Sequence, residues 1–203
     1  NSTYITNSNP VTKLPVSEQA AKIEEFVQAR ITYATMVSNM DANIGRLIDE
    51  LDNDMTEFNN TVIIFLSDNG GYTYSKGAVN YPLDALKGSV KDGGHKVPMF
   101  VHWPAQIATP ATYNDVISSL DIYPTLVDLA GGTIPTEKVI DGVSFMDDLI
   151  AGNDARLDES LLIMRPNYGF HNGGISMGQW KITKTGNSGA WKLYNILTDP
   201  GET

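Results

Sequence analysis

A short apolar run that stops abruptly at polar residues constrains this chain more than any other feature. Residues 61–66 are β-branched or large and apolar, and Ser67-Asp68-Asn69-Gly70-Gly71 follows directly. Such a run predicts a strand buried on both faces, as in parallel sheets covered by helices. Ligands of open α/β sheets bind beyond the carboxyl ends of these strands. Asp68 and Asn69 are therefore candidate oxygen ligands of a metal, and the glycines allow a sharp turn behind them.

The same corner has a second interpretation. Asp-Asn-Gly is also ordinary turn chemistry, because Asp and Asn tolerate left-handed backbone and hydrogen-bond within their own turns. Taken alone, the residues of the corner favour the plain turn. The rest of the chain has to decide between the two.

The composition excludes some classes of function. Hydrophobic residues make up 41% of the 203 residues and charged residues 19%, which is typical of a globular domain with its own core. With 14 basic and 24 acidic residues, the formal net charge is −10. This balance argues against nucleic acid as a partner, and an anionic substrate would need positive charge concentrated at its site. The sequence contains no cysteine, and no apolar stretch is long enough for a membrane span.

Periodicity predicts an α/β fold with a parallel-type central sheet flanked by helices. A 3.6-residue apolar rhythm over residues 18–52 predicts one long amphipathic helix or two consecutive helices. Residues 97–103 predict a second strand, and residues 114–130 another helix. This alternation is typical of a parallel sheet with crossover connections. After Asp158, short strands separated by Gly and Asn turns predict an antiparallel meander.

Two units follow from this pattern. Residues 1–157 are expected to form the α/β portion, with residues 1–17 as a loop or linker, and residues 158–203 to begin a small antiparallel C-terminal subdomain. The chain starts at Asn1 rather than at a methionine and closes in mid-turn, so it is expected to be an excerpt from a longer protein.

Lys87 is the second candidate site residue. It lies within residues 71–94, an irregular segment between the corner and the next predicted strand, and Gly88 follows it. A loop this long in a compact domain is usually functional or disordered. A lysine beside glycine can bring an ammonium close to a bound oxyanion, although most loop lysines are simply solvated. His95, His102 and His171 have no partner at metal-ligand spacing, and a structural role is the default for each.

Seven motifs in family order carry a resemblance to a known family. They are Met-Asp-Ala-Asn-Ile-Gly-Arg-Leu (40–47), Asn-Thr-Val-Ile-Ile-Phe-Leu-Ser-Asp-Asn-Gly-Gly (60–71), Pro-Leu through Lys-Gly (82–88), Gly-Gly-His-Lys-Val-Pro (93–98), Leu-Asp-Ile-Tyr-Pro-Thr-Leu-Val-Asp-Leu-Ala-Gly (120–131), Asp-Gly-Val-Ser (141–144) and Leu-Tyr-Asn-Ile-Leu-Thr-Asp-Pro-Gly-Glu (193–202). From about Tyr33 onward, the chain resembles the formylglycine-dependent sulfatases of the alkaline phosphatase superfamily. The resemblance implies an alkaline-phosphatase-like α/β fold, incomplete in this chain.

The resemblance also implies roles for individual residues. Asp68 and Asn69 match ligands of a divalent metal, usually Ca2+, and hard oxygen donors suit that ion. Lys87 matches the lysine that binds the sulfate oxygens and helps to stabilise or protonate the leaving oxygen. The nucleophile of the family is a hydrated formylglycine from a Cys/Ser-x-Pro/Ala-x-Arg motif, which is expected upstream and is absent here. The isolated chain is therefore expected to be inactive.

The implied function is hydrolysis of a sulfate ester of a small molecule or glycan. Two alternatives stay open: a phosphonate or phosphodiester hydrolase of the same superfamily, and a non-catalytic binding relative. Family analogy places the protein in the periplasm or outside a bacterial cell. One departure is that Asp84-Ala85-Leu86 stands where Arg-Gly-Gly is frequent, which removes a positive charge near the pocket mouth. Neither the oligomeric state nor the particular sulfated substrate follows from the sequence.

Overall fold

The elements of the fold are those of a computed structural model that describes residues 15–107, 109–156, 159–165 and 171–203. In chain order they are α1 (Val16–Asp52), α2 (Met55–Asn59), β1 (Ile63–Leu66), a 3-10 turn (Thr73–Ser75), α3 (Asp92–His95), β2 (Met99–His102), a 3-10 turn (Ser119–Asp121), α4 (Ile122–Leu129), α5 (Met146–Ala151), β3 (Leu161–Arg165), β4 (Asn172–Met177), β5 (Trp180–Lys184) and β6 (Lys192–Asn195). No helix in these ranges combines the length and the apolar character that crossing a bilayer requires.

Helix α1 is one continuous helix, which is the first of the two alternatives that the apolar periodicity leaves open. It has 37 residues, and Phe26 is its buried side chain. Lys76, from the segment that follows β1, lies over the Phe26 ring with 5.6 Å between its Nζ and the ring centroid. Lys76 also forms an ion pair with Glu25. The first third of the helix is therefore anchored to the loop that begins at the Asp68–Asn69 corner.

Strands β1 and β2 pair antiparallel, so the described residues do not confirm the predicted parallel central sheet. Ile63 lies opposite His102, and Leu66 lies opposite Met99. The connecting residues 67–98 contain a 3-10 turn and the four-residue helix α3, with no long crossover helix. A parallel pair requires a crossover connection, whereas this segment returns to the sheet at the end from which it left.

The helix predicted for residues 114–130 is shorter than expected. Its first turn is a 3-10 turn that begins after Ser118, and α4 follows at once. The Ser118 side chain accepts from the Leu120 N–H, and the Asp121 carboxylate accepts from the Ser118 N–H at 2.7 Å. This reciprocal cap defines the start of the helix. Asp121 is fully buried and paired with Arg156, which ties the cap to a later part of the chain.

The C-terminal strands confirm the predicted antiparallel meander. They form one sheet in the order β3-β4-β5-β6, and all three strand pairs are antiparallel. The predicted division between residues 157 and 158 lies outside the described residues, as do residues 1–14 of the predicted linker.

Candidate active site

The polar corner lies at the carboxyl end of β1. Asp68 is exposed, and its carboxylate forms no hydrogen bond or ion pair with the residues that the structure describes. Asn69 is half-buried, and its Nδ2 donates to the Gly70 carbonyl at 3.0 Å. Ser67 Oγ donates to the Asn69 carbonyl at 3.1 Å, which holds the backbone of the corner. The Asp68 carboxylate and the Asn69 side-chain oxygen thus remain available for a ligand.

This donor set fits part of a metal site. Ca2+ binds six to eight oxygens, and carboxylate and amide oxygens are typical ligands. Asp68 and Asn69 are adjacent in the chain and supply two such groups. Within the described ranges, no group of three or more His, Cys, Asp or Glu residues is arranged to hold a metal ion. The corner therefore offers two of the six to eight oxygen ligands that a Ca2+ ion binds.

The glycines of the corner serve close backbone packing rather than a left-handed turn. Gly70 does not have a positive φ, and its N–H donates to the Gly94 carbonyl at 3.0 Å. A Cβ added at Gly70 would overlap the Gly93 carbonyl, and one added at Gly93 would overlap the Asp84 carbonyl. The expected sharp turn is therefore not the reason for glycine at position 70. Glycine is needed because three backbone segments approach too closely for a side chain.

Asn80 joins these backbone segments. Its Oδ1 accepts from the Gly71 N–H at 2.9 Å. Its Nδ2, which carries two hydrogens, lies within hydrogen-bond distance of three carbonyls, those of Gly71, Ala85 and Gly93, at 2.9, 3.0 and 2.9 Å. One half-buried amide thus binds the end of the corner, the loop that precedes Lys87, and the turn that leads to β2.

Lys87 is brought to the corner through its backbone. Its N–H donates to the Gly71 carbonyl at 3.3 Å. The side chain is exposed, and its ammonium has no hydrogen-bond or ion-pair partner in the described part of the chain. A fixed backbone with an uncommitted ammonium is suited to binding an oxyanion from solution.

Lys87 also lines a cavity of about 330 Å³. Arg165, from the end of β3, lines the same cavity, together with Tyr72 and Tyr74. Gly88 separates the two cations: its φ is +87°, and a Cβ built there would lie 3.3 Å from Arg165 Cζ. The predicted site residues do not include Arg165, Tyr72 or Tyr74, and only the fold brings Arg165 to the Lys87 loop.

A buried ionic cluster connects this loop to the C-terminal sheet. Lys181 on β5 has no exposed surface and pairs with Asp92 and with Glu202, at 3.0 Å to Glu202 Oε1. Glu202 Oε2 accepts from the Asp92 N–H at 2.6 Å. Lys91 donates to the Glu202 carbonyl at 2.9 Å and to Asp84 Oδ2 at 2.5 Å. The cluster therefore fixes α3, which follows the Lys87 loop directly.

Two of the three histidines, His95 and His102, contact groups of the protein itself. His95 Nε2 lies 3.1 Å from Lys181 Nζ and 3.2 Å from the Val90 carbonyl. Burial, and after it the charge of Lys181, holds the pKa of His95 below its ordinary value. His102 packs on Phe58 with 5.1 Å between ring centroids.

Comparison with known families identifies the family. The model of the family described as "Sulfatase" matches residues 3–132. The chain belongs to the sulfatase family. A second model, "N-sulphoglucosamine sulphohydrolase, C-terminal", matches residues 87–203 of this sulfatase chain.

Individual sulfatases agree with this assignment. A protein named "Sulfatase" from Formosa agariphila is 29% identical over 215 residues, covering 96% of this chain and 38% of the relative. Human arylsulfatase H is 30% identical over 173 residues, covering 81% of the chain and 29% of the relative. This sulfatase chain therefore spans less than two fifths of the length of these curated relatives.

Solved structures share the fold. The crystal structure of Ps i-CgsB in complex with k-i-k-neocarrahexaose matches 89% of this chain and 41% of its own, with 36% identity and a TM-score of 0.80. A structure solved in complex with its substrate D-glucosamine-2-N,6-O-disulfate covers 82% of this chain and 33% of its own, with 25% identity and a TM-score of 0.65.

Proposed function

We propose that this chain is part of a sulfuric ester hydrolase that removes sulfate from a sulfated glycan or other organic ester. The observation that carries the proposal is the connection of Lys87 to the Asp68–Asn69 corner. The Lys87 N–H binds the Gly71 carbonyl, and Asn80 joins Gly71 to the segment just before Lys87. Membership of the sulfatase family supports it further.

Each polar residue has a separate role in this proposal. The Lys87 ammonium binds sulfate oxygens and stabilises the charge that develops on the leaving oxygen. Asp68 and Asn69 hold one side of a divalent cation, for which we propose Ca2+. When bound, that cation supplies further stabilisation of negative charge on the sulfate. The formylglycine expected upstream supplies the nucleophilic oxygen, and its sequence motif is not present in the 203 residues.

The proposal also includes a glycan as the substrate and export of the enzyme from the cytoplasm. Two solved relatives carry a carrageenan-type hexaose or a disulfated glucosamine. The cavity beside Lys87 has two tyrosines at its wall, and aromatic rings of this kind pack well against sugar faces. We propose a periplasmic or extracellular location in a bacterium and a unit boundary between residues 157 and 158.

Paired substrates test the proposed function. The full-length enzyme is expected to hydrolyse 4-nitrophenyl sulfate with a higher kcat/KM than 4-nitrophenyl phosphate or bis(4-nitrophenyl) phosphate. The three esters share one leaving group, so the comparison isolates the transferred group. A preference for either phosphate ester would favour the phosphodiester or phosphonate hydrolase. Absence of turnover on all three esters and on sulfated oligosaccharides would favour the binding relative.

The metal role has its own test. Asp68→Asn in the full-length enzyme is expected to weaken Ca2+ binding by at least about tenfold, because a direct carboxylate ligand loses its charge. Calorimetric titration of the metal-free protein with Ca2+ measures this change. Asp49→Asn on the exposed face of α1 is the matched control. Unchanged Ca2+ affinity in Asp68→Asn would show that Asp68 is not a ligand.

A further inference from the structure

The cavity beside Lys87 has a second cation in its wall. Arg165 stands at the end of β3, opposite Asn172 on β4, and both residues line the cavity with Lys87. Arg165 is exposed, as Lys87 is. In a chain with a formal net charge of −10, two cations in one cavity concentrate positive charge locally.

Gly88 explains how the two cations come together. Its φ of +87° is a conformation that glycine adopts without strain. A Cβ at this position would lie 3.3 Å from Arg165 Cζ, 3.4 Å from Nη1 and 3.5 Å from Nη2. The guanidinium therefore lies against the backbone of Gly88, the residue that follows Lys87.

Two tyrosines also line the cavity. Tyr72 and Tyr74 meet edge to face, with 5.5 Å between ring centroids and 87° between ring planes. Their side chains are 52% and 72% exposed, although both line the cavity. Exposed aromatic rings beside two cations are suited to a ligand with a sugar face and more than one acidic group.

We propose that Arg165 determines substrate specificity by binding a second acidic group of the glycan, next to the sulfate ester that Lys87 binds. The planar guanidinium donates two parallel hydrogen bonds to a sulfate or a carboxylate. Tyr72 and Tyr74 pack against the sugar that carries this group. The inference rests on the proposed function and names the substrate class of the same site: a glycan with a second sulfate or a uronate near the ester.

Kinetics on matched oligosaccharides test the role of Arg165. The substrates are an oligosaccharide with a single sulfate, the same one with a second sulfate, the same one with a uronate, and 4-nitrophenyl sulfate. In the full-length enzyme, Arg165→Gln is expected to raise KM for at least one doubly acidic glycan by about 10- to 100-fold. This increase in KM should exceed the increase in KM for 4-nitrophenyl sulfate by at least about tenfold. Arg165→Lys should reverse only part of this increase in KM, because an ammonium lacks the planar, paired donors of a guanidinium.

The controls separate this inference from the proposed function. The matched control is Arg46→Gln, which removes an exposed arginine from α1 and should leave every KM unchanged. Equilibrium binding of the same oligosaccharides provides a readout without turnover. Weaker binding in Arg165→Gln supports the inference even if the wild type hydrolyses no sulfate ester. Binding that is equal in both proteins, or an equal loss on all four substrates, overturns it, and wild-type sulfatase activity would then still stand.

Discussion

Replacing Lys87 with methionine in the full-length enzyme is expected to lower kcat on sulfate esters by about 100- to 1000-fold. The ammonium has no partner in the described part of the chain, so its charge is available to the oxyanion. For the same reason, the free energy of unfolding should change by no more than about 0.5 kcal/mol. Steady-state kinetics and denaturant unfolding of the same preparation measure the two quantities.

Lys138→Met is the control for the Lys87 experiment, since Lys138 is an exposed loop lysine away from the cavity. It should leave both kcat and stability unchanged. A loss of stability in Lys87→Met comparable to its loss of activity would mean that Lys87 supports the loop and does not act on substrate. A rise in KM with unchanged kcat would mean that Lys87 binds the ground state and the transition state equally well.

Replacing Lys181 with methionine is expected to reduce the free energy of unfolding by about 3–5 kcal/mol. The change leaves Asp92 and Glu202 buried without the cation that compensates them. Because Asp92 belongs to the helix that follows the Lys87 loop, kcat should fall as well. Urea unfolding followed by tryptophan fluorescence measures the first effect in the full-length enzyme.

Neutralising the two acids provides the decisive comparison for Lys181. The triple variant Lys181→Met, Asp92→Asn, Glu202→Gln should regain part of the lost stability, since no uncompensated charge is then buried. Lys192→Met on the exposed side of β6 is the matched control. If the triple variant is less stable than Lys181→Met alone, the loss comes from packing and not from charge.

The part of the site that the sequence predicts is the part that is local in the chain. Asp68 and Asn69 follow an apolar strand, and that pattern places them at its carboxyl end without knowledge of the fold. The predicted parallel central sheet is not confirmed, since β1 and β2 pair antiparallel. The direction of pairing depends on the path of residues 67–98, and the apolar pattern of a buried strand does not specify that direction.

The residues that sequence reasoning did not identify make contacts with residues far away in the chain. Lys181 and Asp92 are 89 positions apart, and the basic neighbours of Asp92 in the sequence, His95 and Lys96, do not indicate this more distant pair. Arg165 reaches the Lys87 loop only because β3 ends there. In the sequence, a buried lysine on a strand and an arginine at the end of a strand look like ordinary exposed polar residues. Only the three-dimensional structure distinguishes Lys181 and Arg165 from such residues.

The position of Glu202 has a practical consequence for protein engineering. Its carboxylate and its carbonyl bind three residues that follow the Lys87 loop or face it, namely Lys91, Asp92 and Lys181. A truncation designed to trim the small sheet would disturb the Lys87 loop if it removed residue 202. Affinity tags and fusion partners should therefore be attached away from residues 199–203, and shortened versions should retain this stretch.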